Sequence, residues 1–90
     1  MSKNVSELRE KLLERISNTS NHENINRYIR SAVTTLIQHK MNGHLIVRFI
    51  EKCMMEIESS VRSAAPGEAE NLHIGYKILS DAKQKLMSQV

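Results

Sequence analysis

Apolar residues recur at intervals of three and four along most of this chain. The clearest run is Leu45, Ile46, Phe49, Ile50, Cys53, Met54, Ile57 and Val61, which has the period of an α-helix buried along one side. Three looser runs accompany it. Val5, Leu8, Leu12, Leu13 and Ile16 share one side of a first helix, and Ile25, Tyr28, Ile29, Ala32, Val33, Leu36 and Ile37 share one side of a second. Ala69, Leu72, Tyr76, Leu79, Leu86 and Val90, with Ala82 beside them, mark a fourth. Lys83 interrupts that last stripe, and its stem is expected to lie on apolar surface while the amine reaches water.

Polar residues punctuate these runs where helices begin and end. Asn4 with Glu7, and Ser20 with Glu23, have the spacing of a capping box, in which the first side chain accepts an orphan N–H and the glutamate reaches back. Asn42-Gly43 offers residues that tolerate the left-handed conformation at a helix end. Pro66 disfavours helical backbone at Ala65 and is a poor continuation itself. The predicted helices therefore cover about residues 5–17, 21–40, 44–64 and 68–88. The second and third are expected to reverse at Asn42-Gly43 and pack antiparallel, with the third as the strut for the others. The fold class is all-α: one domain over residues 1–90, a small antiparallel four-helix bundle completed within the chain or by dimerisation, including a first helix swapped onto a neighbour.

Composition bears on stability before it bears on function. With 90 residues, 40% hydrophobic, and Phe49, Tyr28 and Tyr76 as the only aromatics, the core is thin, because small chains bury proportionately little surface and aromatics supply much of it. Self-association is the expected remedy. Cys53 is the single cysteine, so no internal disulfide forms and nothing suggests a secreted scaffold. The first residues lack the apolar core of a signal peptide, and no apolar run reaches the ~20 residues of a membrane span. The expected location is the cytoplasm, with no membrane contact. In size and helix count the chain resembles the bacteriocin immunity proteins, a likeness of architecture that no motif carries.

Candidate chemistry is sparse. The formal charge of +3 is an ordinary solubility margin. Residues 24–50 hold Arg27, Arg30, Lys40 and Arg48 and no Asp or Glu, and a nucleic-acid reading would use Arg27 and Arg30 as phosphate contacts beside Ser31 and Thr34. Neighbouring segments of mixed charge favour a solvated helix face instead. His22, His39, His44 and His73 never pair at helical ligand spacing, and Cys53 falls inside an apolar stripe. Ser59 and Ser60 have no base at hand. No catalytic, cofactor or metal residue is therefore assigned.

Apolar residues outside the stripes point to a partner instead. Ile78 sits at the edge of the fourth stripe, Ile74 lies outside it, and Met55 falls among Glu51, Glu58 and Arg62. Methionine is enriched at protein interfaces. The expected function is non-enzymatic: a homodimer, adaptor or regulator acting through protein contacts at Ile74, Ile78 and Met55. The alternative is a nucleic-acid-associated protein using the acid-free face of the second helix.

Overall fold

The computed structural model describes residues 2–89, which form four helices and, among the described residues, no strand: α1 Ser2–Asn18, α2 His22–Gln38, α3 Gly43–Val61 and α4 Pro66–Gln89. The chain is the all-α four-helix arrangement that the periodicity predicts. Several boundaries fall elsewhere, each for a local reason.

Helix α1 begins at Ser2, which places Asn4 inside the helix rather than at its cap. Asn21, not Ser20, caps α2: its backbone is extended (φ −127°, ψ 113°) and its Oδ1 accepts the Glu23 N–H at 3.0 Å. Asn and Ser cap about equally well, so local preference does not decide between them, and tertiary contacts hold this connection in place. The buried Asn71 of α4 donates from Nδ2 to the carbonyls of Ser17 (3.2 Å) and Thr19 (2.8 Å).

The α2–α3 turn also differs from the expectation. Lys40, not Asn42 or Gly43, takes the left-handed conformation (φ 60°). The Met41 N–H donates to the Leu36 carbonyl at 3.1 Å and the Lys40 N–H to the Ile37 carbonyl at 2.9 Å, the paired bonds of a Schellman motif. Met41 then packs against the core, the apolar contact that accompanies the motif. Asn42 instead caps α3, accepting the Leu45 N–H at 3.0 Å, and Gly43 becomes the first residue of the new helix. At the far end α3 stops at Val61. Bonds from Ser63 to Ser60 and from Ala64 to Val61 tighten the exit into short 3₁₀-type turns. Pro66 opens α4, where its missing N–H costs nothing.

Side-chain pairs give the directions of the helices. Lys83 Nζ lies 3.1 Å from Glu51 Oε2, and the Tyr76 hydroxyl donates to Glu58 Oε1 at 3.3 Å. A step of seven residues forward on α3 thus matches seven back on α4, so the pair is antiparallel. The Arg15 guanidinium lies 5.9 Å from the Tyr28 ring centroid, and a shallow cleft that brings Leu8 near Thr35 shows α1 and α2 antiparallel as well. Arg9 Nε, midway along α1, pairs with Glu56 Oε1 at 3.1 Å, while Ser17 and Ser60 line one pocket further along, so α1 and α3 run parallel.

The molecule is therefore two helical hairpins, α1–α2 and α3–α4, docked on one another. Helix α4 packs against all three others, whereas α2 and α3 barely touch. This corrects the expected antiparallel α2–α3 pair and the role of α3 as central strut; α4 holds that position. One continuous core includes Ile16, Ile25, Ile29, Ile50, Cys53 and Leu79, all at or near zero exposure. Gly75 is buried where α4 approaches the first hairpin. A Cβ built there would lie 3.0 Å from Ile16 Cγ2 and 3.7 Å from Ile25 Cγ2, so the missing side chain is what permits this docking distance.

Candidate functional site

Helix α4 accounts for its own apolar excess. Its buried face is centred on Asn71, Leu72, Gly75 and Leu79, turned by part of a turn from the stripe drawn through Ala69, Leu72 and Tyr76. Ile74 and Ile78 lie on the flank of that face, partly buried against the core. A helix surrounded on three sides needs a wide apolar arc. Met55 is different: it stands 68% exposed on the outer side of α3.

Arg27 and Arg30 are exposed on the outer side of α2, beside Ser31 and Thr34. The same depression includes Glu23, one turn before Arg27, so a face free of acid in the sequence window gains a carboxylate in space. Among the described residues, no three His, Cys, Asp or Glu side chains converge on a metal-binding geometry.

Cys53 is fully buried in the core. Burial pushes its thiol up to about 12, with the Arg9 guanidinium opposing and the Glu56 carboxylate adding to the effect. The thiolate is the reactive form, so the native chain is expected to resist a thiol reagent such as DTNB at pH 8 and to react when urea unfolds it. The linkage has a definite sign. The folded thiol holds its proton above the unfolded pKa near 9, so its contribution is fully present below pH 9 and is lost as pH rises toward 12. A Cys53→Ala chain should lack that decline, and equal alkaline slopes in urea titrations of the two proteins would refute the assignment.

A surface groove that joins apolar and basic side chains lies at the end of the bundle where α1 starts, the α2–α3 turn crosses and α3 begins. It encloses about 470 Å³ and has an apolar floor of Val5, Met41, Leu45 and Phe49. Arg9, Arg48 and Lys52 line it as well, and no acidic residue does. Arg9 is held by Glu56, whereas Arg48 and Lys52 are exposed and make no ion pair among the described residues. The first turn of α3 contains no acid to offset the positive end of its dipole.

Two residues read as buried are exposed beside this turn, Ile37 at 55% and Leu45 at 47%. Their helical phase is that of the core, but each sits in the terminal turn of its helix. Because α2 and α3 barely touch, neither finds a partner across the junction. A terminal position on an apolar stripe was the signal in the sequence. The stripe alone hides it, since periodicity reports the side of a helix and not where along its length the neighbours end. Comparison with protein-family models, with curated proteins and with solved structures finds no match to this chain.

Proposed function

We propose that this chain is a non-enzymatic helical module that acts through protein–protein contacts, as a homodimer, adaptor or regulator. One observation carries the reading: exposed apolar side chains, Ile37 and Leu45, flank a turn beside a groove whose floor is itself apolar. Scattered surface hydrophobes are ordinary, but apolar exposure gathered around a concave site is the usual mark of an interface. Met55, on the same outer side of α3 as Arg48 and Lys52 at helical spacing, extends the surface further along that helix.

Sedimentation of the purified chain at high micromolar concentration tests the self-associating form. A species heavier than the monomer that Leu45→Asp returns to monomer supports it. Leu45 is half exposed, so the substitution should change stability by no more than about 0.5 kcal/mol. A strict monomer, equally stable with and without the substitution, removes the homodimer and leaves only a foreign partner.

A further inference from the structure

We propose that the groove between α1 and the start of α3 receives an acidic amphipathic helix from a partner protein, with one bulky apolar residue seated between Val5, Leu45 and Phe49. This rests on the protein-contact reading above and adds the chemistry of the partner.

The floor is apolar and the polar rim is of one sign. Val5, Met41 and Leu45 keep apolar surface that an aliphatic or aromatic side chain desolvates, over the buried Phe49. Arg9, Arg48 and Lys52 stand around it without an acidic neighbour in the lining. A basic or neutral occupant would leave Arg48 and Lys52, which make no ion pair among the described residues, facing like charge or losing water uncompensated, which is how charge selects a partner. Arg48 and Lys52 are four apart on α3 and therefore on one side of it, so carboxylates spaced one turn apart on a docked helix meet both. The uncompensated N-terminus of α3 adds to the preference for negative charge. An amphipathic helix in a hydrophobic groove is a recurrent mode of recognition.

A second copy of this chain fits less well. Its exposed apolar residue flanked by acids is Met55, between Glu51 and Glu58, but Glu51 already binds Lys83 and Glu58 accepts from Tyr76. Docking there would also join unlike surfaces, a head-to-tail contact that propagates unless its rotation closes.

The test uses the intact chain and a fluorescein-labelled helical peptide carrying leucines on one face and glutamates on both flanks, read by anisotropy. Binding should fall about tenfold with Arg48→Glu plus Lys52→Glu, and should weaken with added salt. Lys77→Glu, exposed on α4 level with Ile57 and away from the groove, should leave it unchanged, and matched melting curves establish that each variant is folded. Two control peptides set the specificity: lysine in place of glutamate, and alanine in place of leucine. Equal binding of either control, or no effect of the double charge reversal, overturns the proposal. If no peptide binds while Leu45→Asp still dissolves a self-associated form, the groove belongs to a second copy; the proposal then fails and the interaction reading stands. If neither effect is seen, the proposal fails and the homodimer fails with it.

Discussion

Replacing Gly75 by valine is expected to destabilise the fold by about 3 kcal/mol in urea denaturation, at the upper end of what overpacking costs. The reason is local and geometric. The first added carbon already meets Ile16 Cγ2 at 3.0 Å, and Ile16 and Ile25 are both fully buried, so neither has solvent to retreat into. Gly75→Ala sets two terms against each other. Alanine gains about 1 kcal/mol over glycine inside a helix, while the tight contact pushes α4 away from the first hairpin. With Ile16 confined, the contact should win and stability should fall. An Ile16→Leu background removes the methyl at the point of collision, so Gly75→Ala should cost less there, by about 0.5 kcal/mol or more as a coupling energy. Equal costs in both backgrounds would place the loss somewhere other than this contact.

Asn71→Ala is expected to cost about 2–3 kcal/mol, because it leaves the Ser17 and Thr19 carbonyls without their donor at a part-buried site. Both neighbours are acceptors, so the side chain must present its nitrogen. That requirement makes Asn71→Asp more informative. A carboxylate facing two carbonyl oxygens is disfavoured in the folded state, which raises its folded pKa above the unfolded value near 3.9. The protonated acid is able to donate to one carbonyl. The deficit relative to the parent should therefore be smallest below the unfolded pKa and should grow as pH rises through the folded one. A deficit that does not vary with pH would show that the amide is not the link between α4 and the end of α1.

These two residues also mark what the sequence leaves unreadable. The four helices were legible because leucine, isoleucine and valine at intervals of three and four announce a buried side. On α4 the buried side is centred on an asparagine and a glycine, which no apolar pattern registers, and so its face is misdrawn. Ile74 and Ile78 then look surplus when they are the flanks of a wide contact arc. The α2–α3 relationship is hidden for a related reason. A short turn implies neighbours, but the Schellman closure at Lys40 and the cap at Asn42 redirect the chain, and only three-dimensional contacts reveal that the two helices barely touch. The groove is equally hidden. Val5, Met41 and Leu45 come together from three segments, and no local spacing connects them. Cys53 was the reverse case, since its place inside the strongest stripe already located it in the core.

The weak contact between α2 and α3 has a consequence for how the molecule holds together. The two halves meet chiefly through α4 against α1 and α2, and the covalent link between them is only the short turn from His39 to Asn42. In effect the protein is an intramolecular complex whose tether sets the local concentration of each half for the other, in the millimolar range for short links. The strained Lys40 backbone sits within that tether. Cutting the tether would turn one folding reaction into an association of two strands with a concentration-dependent midpoint. At sufficient concentration two intact copies have the same choice, each offering its first hairpin to the other.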